Sequence, residues 1–120
     1  MRISLTKYIV MKKEYLGEFE ELVLTMVALL GENAYGNAIV EEIGEKVKRE
    51  VNLSAVHVTL YRMEDKGYVT SEMGGASNMR GGRRKRIFTV TNTGLEKLQI
   101  LKEQRQQLWS LIPNLKFSSI

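Results

Sequence analysis

A mainly α-helical fold carrying a small β-wing and ending in one long helix is what this 120-residue sequence predicts, and three features predict it. Apolar residues recur at three- and four-residue spacing in four separate stretches, the pattern of helices that bury one face. Two short runs rich in aromatic and β-branched residues, 68–73 and 86–91, stand together between the third and fourth stretches. A glycine-rich segment with a dense arginine–lysine cluster joins those two runs.

Residues 14–30 read as the first helix. Phe19, Leu22, Val23, Met26, Val27 and Leu30 fall on one face, and Leu24, Ala28 and Leu29 fill much of the other, so this helix is expected to be central. Glu18, Glu20 and Glu21 suit its N-terminal region, where the helix dipole favours negative charge. Gly31 is a natural stop. After the turn Gly31-Glu32-Asn33, a second helix is expected over 35–49, with Tyr35, Ile39, Ile43 and Val47 inward. Glu42/Lys46 and Glu45/Arg49 on its outer side are i, i+4 pairs. Ser54 reads as the N-cap of a third helix, 55–66, with Val56, Leu60 and Met63 inward and Gly67 as its end. The strands follow, joined by residues 74–85, too long a segment for a tight hairpin. The last helix is expected over 92–112. Thr93-x-x-Glu96 reads as its capping box, Leu98, Leu101, Leu108 and Ile112 form a stripe widened by Leu95, Ile100, Trp109 and Leu111, and Pro113 stops it.

The order helix, helix, helix, strand, basic loop, strand, long helix is that of a winged helix-turn-helix with an appended C-terminal helix. In such folds the second helix of the turn pair enters a DNA major groove. The chain accordingly divides into an extension (1–13), a winged helix-turn-helix (14–91) and a C-terminal dimerisation helix with its tail (92–120). Met1–Val10 stays open between an added helix or strand and a flexible extension.

Composition narrows the function. No cysteine is present, which removes disulfides, thiol chemistry and cysteine-based zinc sites. No stretch approaches the roughly 20 apolar residues of a membrane span. A cytoplasmic location and no membrane partner are the expectation. No P-loop, nucleophile elbow or metal-ligand spacing occurs. Adjacent Glu41 and Glu42 diverge on a helix and do not make an acid/base pair. The expectation is a non-enzyme without cofactor or metal, in which His57, the sole histidine, has a structural or phosphate-contacting role.

The net charge is only +4, but its distribution is uneven. Between Glu72 and Glu96 no acidic residue occurs, while Arg80, Arg83, Arg84, Lys85 and Arg86 fall within that interval. A local basic cluster on an otherwise balanced chain is the footprint of a polyanion contact. Glycines on either side let such a loop approach a backbone closely.

The stretch Ser54–Val69, SAVHVTLYRMEDKGYV, resembles the recognition helix and following strand of the PadR family of regulators. The resemblance runs on through Met79–Gly94, where the family has a Gly-Gly-basic run, an aromatic strand and a Leu-Thr-x-x-Gly segment, here Val90-Thr91-Asn92-Thr93-Gly94. Leu29-Leu30-Gly31 and Tyr35-Gly36 also fit, so the likeness covers about residues 18–112. His57 stands where the family usually has tyrosine, and Gly67-Tyr68 replaces Gly-Leu. The single C-terminal helix is similar to that of the short subfamily.

The resemblance implies a homodimeric transcriptional regulator of the repressor type that pairs through its first and last helices. In some members it also implies a small aromatic or drug-like effector. The residues expected at double-stranded DNA are Tyr35 at the second helix N-terminus, then Ser54, Ala55, His57, Val58, Thr59, Tyr61 and Arg62 of the third helix. In the wing they are Arg80, Arg83, Arg84, Lys85 and Arg86. Ala55, Val58, Thr59 and Arg62 are expected to point outward, and Val58 or the Thr59 methyl to meet a thymine methyl. The dimer seam is expected at Phe19, Leu22, Val23, Leu98, Leu101, Leu108, Trp109 and Ile112. Two dimer-related third helices would then reach successive major grooves of a pseudo-palindromic operator about one turn apart. A winged-helix module for an acidic protein partner, or a small-molecule sensor built around Trp109, are the alternative readings of the same surfaces.

Overall fold

The computed structural model describes residues 15–74 and 84–116. Among these, four α-helices and one antiparallel two-stranded sheet appear in the expected order: α1 (Glu18–Leu30), α2 (Gly36–Val47), α3 (Leu53–Asp65), β1 (Val69–Met73), β2 (Arg86–Val90) and α4 (Asn92–Ser110).

The boundaries differ from the sequence reading for identifiable reasons. Helix α1 begins at Glu18 because Gly17 is extended, and the Glu20 carboxylate reaches back to accept the Gly17 N–H at 3.0 Å. Its last turn closes on Gly31 at φ +57°, the left-handed region glycine tolerates. Helix α2 ends at Val47 because Lys48 turns left-handed, which leaves Val47 exposed. Helix α3 is capped by Asn52 and not by Ser54: Asn52 Oδ1 accepts from the N–H groups of Ser54 (2.7 Å) and Ala55 (3.3 Å). At α4 the cap is Thr91 and not the expected Thr93 box. The Thr91 hydroxyl accepts from Gly94 N–H at 3.0 Å and donates to Gly67 C=O at 2.7 Å, so one side chain caps α4 and ties it to the end of α3.

The core forms where α1, α2 and α3 meet the wing. Val23, Leu24 and Val27 of α1, Ile39 and Ile43 of α2, Val56, Leu60 and Met63 of α3, Val69 of β1 and Phe88 of β2 are fully buried. Each such side chain contributes about 1.5–3 kcal/mol by leaving water. The strands pair with Ser71 opposite Phe88 and Met73 opposite Arg86. Phe88 N–H also donates to Ala34 C=O at 2.8 Å, which fastens β2 to the turn between α1 and α2. At Gly94 the backbone of α4 lies so near the wing that a Cβ would come within 2.3 Å of the Tyr68 carbonyl oxygen.

Helix α4 is different in kind. Only Gly94 is buried along it, and Leu98 and Leu101 pack half-buried against the core. Farther on, Leu108 is 62 % exposed and Leu111 74 %. Among the described residues, no single helix is long and apolar enough to cross a membrane.

Candidate nucleic-acid interface

The outer face of α3 is set by what its inner face buries. With Val56, Leu60 and Met63 in the core, Ser54, Val58 and Tyr61 point away from the protomer, flanked by Ala55 and Arg62 on one side and His57 on the other. Val58 is 53 % exposed and Tyr61 46 %, so this face presents apolar side chains to solvent. Thr59, expected outward, is only 6 % exposed. It lies one turn before Met63 on the buried stripe, because that stripe is wider than the three apolar residues suggested. Its methyl is therefore not available to a base.

Beside α3 lies a concavity of about 350 Å³ lined by Tyr35, Gly36, Asn37, Leu53, His57, Arg84, Lys85 and Arg86. It gathers the N-terminal turns of two helices and the stem of the wing. Each helix N-terminus presents N–H groups without intrahelical partners and a partial positive charge. Neither α2 nor α3 has an acidic residue in its first turn, so that charge is uncompensated from within. Lys85 Nζ sits 4.0 Å from the Tyr35 ring centroid, a cation–π contact that pins the wing stem to the start of α2. The His57 ring lies over Gly36, where a Cβ would stand 2.3 Å from Nε2; only glycine admits this contact. His57 meets Tyr61 edge-on at 6.4 Å, and Tyr61 meets Phe88 edge-on at 6.0 Å, so the outer face of α3 connects to the core through edge-to-face ring contacts.

The opposite arrangement holds at α1. Its first turn carries Glu18, Glu20 and Glu21, and each pairs with a cation from a different part of the chain. Arg49 Nη1 lies 2.7 Å from both oxygens of Glu18, with its guanidinium 5.3 Å above the Phe19 ring. This displaces the expected Glu45/Arg49 pair; the Glu42–Lys46 pair forms at 2.8 Å. Lys66 Nζ lies 2.9 Å from Glu20, and Arg105 of α4 pairs with Glu21. Burial pushes the Glu20 carboxyl up, but the Gly17 N–H, the Lys66 hydrogen bond and the charges of Lys66 and Arg62 together hold it below the ordinary value.

The structure brings Tyr35, His57, Arg84 and Lys85 to one groove and places Ser54, Val58 and Tyr61 on the adjoining helix face. Arg86 lines the groove too, but its Nη1 donates to Ser71 Oγ at 3.0 Å. Arg80 and Arg83 lie outside the described residues, as does the extension 1–13. Asn37 and Leu53 were not expected at the site; the acid-free first turns of α2 and α3 are the signal that points to them. Among the described residues, no group of three or more His, Cys, Asp or Glu side chains is placed to hold a metal ion.

Of the residues expected at a dimer seam, Val23 is 0 % exposed and belongs to the protomer core. With Leu24 and Val27 it is part of the α1 share of the core. Phe19, Leu22, Leu98 and Leu101 are half-buried at the edge of that core, whereas Leu108, Trp109 and Ile112 are exposed. A second groove, about 260 Å³, runs between α1 and α4 along Glu21, Thr25, Leu98, Leu101, Arg105 and Trp109.

Comparison with known proteins agrees on the fold. A family model described as Transcriptional regulator PadR-like family matches residues 24–100. A PadR family transcription regulator from Clostridium difficile is similar over 79 % of this chain and 94 % of its own, at 25 % identity and a TM-score of 0.64. A PadR family transcriptional regulator from Eggerthella lenta matches 87 % of this chain and 84 % of its own, at 20 % identity and a TM-score of 0.60. A transcriptional regulator from Clostridium thermocellum covers 97 % of this chain and 100 % of its own, at 19 % identity and a TM-score of 0.64. A search of curated protein sequences gives no significant match.

Proposed function

This chain belongs to the PadR-like family of transcriptional regulators, and from that premise we propose that it is a sequence-selective, dimeric binder of double-stranded DNA that represses transcription from a pseudo-palindromic operator. The observation that carries the reading is the continuity of the α3 outer face with the groove at Tyr35, Asn37, His57, Arg84 and Lys85. In this reading α3 lies in the major groove, and Ser54, Ala55 and Val58 near its N-terminal end meet base edges. The first turns of α2 and α3, with His57, Tyr35, Arg84 and Lys85, hold backbone phosphates. Arg80 and Arg83, read from the sequence as phosphate contacts, belong to the same backbone binding in this reading. The regulator acts in the cytoplasm, where the chromosome lies.

Dimerisation is supported by the apolar side of α4. Positions 94, 98, 101, 105, 108 and 112 share one face by helical periodicity. That face packs on the protomer in its first half and is exposed at Leu108 and Ile112 beyond it. A second copy covering Leu108, Trp109 and Ile112 would bury them and pair two α3 helices at operator spacing. Leu108→Asp is expected to convert a dimer to monomer in sedimentation equilibrium, weakening association by about 3 kcal/mol. If that variant stays dimeric, α4 is not the seam.

A second role is favoured by the groove between α1 and α4. Its apolar lining of Leu98, Leu101 and Trp109 beside Glu21 suits a small aromatic effector, which would alter dimer geometry and release DNA. Thermal-shift measurements against planar aromatic compounds test it: a raised Tm that Trp109→Ala abolishes supports the effector, and no shift by any compound excludes it for that panel.

A further inference from the structure

We infer that Arg86 is a positioning residue that braces the wing against the recognition helix, acting through Ser71 on Glu64, and is not one of the phosphate contacts of the basic wing. The inference rests on the DNA-binding reading of α3 and the wing.

Charge alone groups Arg86 with its neighbours, since it ends the run Arg83-Arg84-Lys85-Arg86. Its place in the paired strand separates it from Arg84 and Lys85, which precede β2. Side chains alternate across a strand, so Arg86 shares a face with Phe88. Phe88 is buried, and its cross-strand partner is Ser71. The Arg86 side chain therefore starts on the side of the wing that faces the protomer core. There its Nη1 donates to Ser71 Oγ at 3.0 Å, and Ser71 Oγ donates to Glu64 Oε2 at 2.7 Å. One hydroxyl thus accepts from the guanidinium and donates to the carboxylate. A neutral relay joins a cation on β2 to an anion on the last turn of α3. Both bonds are charge-assisted and directional.

The placement gives the relay its function. Arg86 is the first residue of β2 and directly follows Arg84 and Lys85. Fixing it fixes the stem from which those two cations project. The stem is held on its other side by Gly74 N–H donating to Lys85 C=O at 2.6 Å and by Lys85 over Tyr35. Glu64 would otherwise be an acidic side chain on the DNA-reading helix. Bonding it to Ser71 turns it toward the wing, and its charge is offset by Arg86.

The test is a salt series of DNA-binding constants for the full-length chain, with Arg84→Ala, Arg86→Ala, Ser71→Ala and Glu64→Ala beside wild type. Removing one phosphate-neutralising cation lowers the slope of log K against log salt by about 0.9. Arg84→Ala is expected to lower the slope by about one. Arg86→Ala and Ser71→Ala are each expected to weaken binding by about tenfold at every salt concentration with the slope unchanged. Ser71→Ala removes no charge, so a pure phosphate-contact role for Arg86 predicts no effect of it. The double variant Arg86→Ala/Ser71→Ala should bind no more weakly than Arg86→Ala alone. Glu64→Ala should weaken binding although it removes a negative charge near DNA.

A slope lowered by one in Arg86→Ala, with Ser71→Ala binding as wild type, would overturn the inference and leave the DNA-binding reading intact. A wild-type chain that binds no duplex at low salt would overturn the reading itself. Circular dichroism of each variant separates loss of the brace from loss of the fold, and Ser71→Ala, at a partly exposed strand position, is expected to retain the fold.

Discussion

The N-terminal turns of α1 and of α2 and α3 are used in opposite ways. Helix α1 opens with three carboxylates, and each is matched by a cation of the same chain: Glu18 by Arg49, Glu20 by Lys66, Glu21 by Arg105. Those cations come from the residues before α3, from the end of α3 and from α4, so one helical turn fastens three parts of the fold. Helices α2 and α3 open with no carboxylate, and the cations beside them, Arg84 and Lys85, line an open groove. The carboxylates that open α1 are committed to internal pairing, and the cations Arg84 and Lys85 are left lining the groove where the wing and α3 meet. A chain of net charge +4 thereby gathers cations beside α3, a placement that net charge alone does not reveal.

This contrast can be broken from either side. The largest effect is expected from Arg84→Ala/Lys85→Ala, which should lower the salt slope of DNA binding by about two and reduce affinity by about 10- to 100-fold at low salt. Fluorescence anisotropy over a salt series measures both, and stability should change little. A sharper case is Asn37→Asp, which places a carboxylate in the first turn of α2. It should stabilise the folded chain by about 0.3–1 kcal/mol through the helix dipole, yet weaken DNA binding roughly tenfold by opposing a phosphate. Stability and binding moving in opposite directions would mark the turn as an anion site; weaker binding with lower stability would mean only structural damage.

On the α1 side, Glu20→Gln should cost about 1 kcal/mol in urea denaturation and leave the salt slope untouched. The same group sets a pH dependence. Its folded pKa lies below its ordinary value near 4.5, so its contribution is complete above that value and is lost as pH falls through the folded pKa. Wild type should therefore lose stability below about pH 4.5 more steeply than Glu20→Gln does. Parallel acid limbs would show that the pair with Lys66 contributes nothing.

Much of the fold was legible in the sequence because periodicity reports burial directly. The four helices and the two strands stand where the apolar spacing and glycines put them. Caps were less legible, since Asn52 and Ser54 are both good caps two residues apart. The choice depends on where the chain becomes extended, which side-chain type does not encode. Thr59 and Val23 show the same limit within a face. A threonine at the edge of an apolar stripe and a valine at its centre read as outward and seam-forming until the packing of neighbouring helices decides how wide the stripe is. The ion pairs of Glu18, Glu20 and Glu21 span 31 to 84 residues and have no local signal. The basic cluster stands out in the sequence, but the bond from Arg86 to Ser71 that sets it apart from Arg84 and Lys85 is a contact between paired strands that no local pattern reports.

The central claim, that a dimer reads DNA through α3 and the wing, is tested most directly by selecting duplexes bound by the full-length protein from a random pool. The account predicts enrichment of inverted repeats whose half-site centres lie about one helical turn apart, roughly 10–10.5 base pairs. It also predicts that Val58→Ala changes the bases preferred in each half-site while the spacing stays the same. A pool that shows no enrichment after repeated rounds, or a preference that Val58→Ala leaves unchanged, would contradict it.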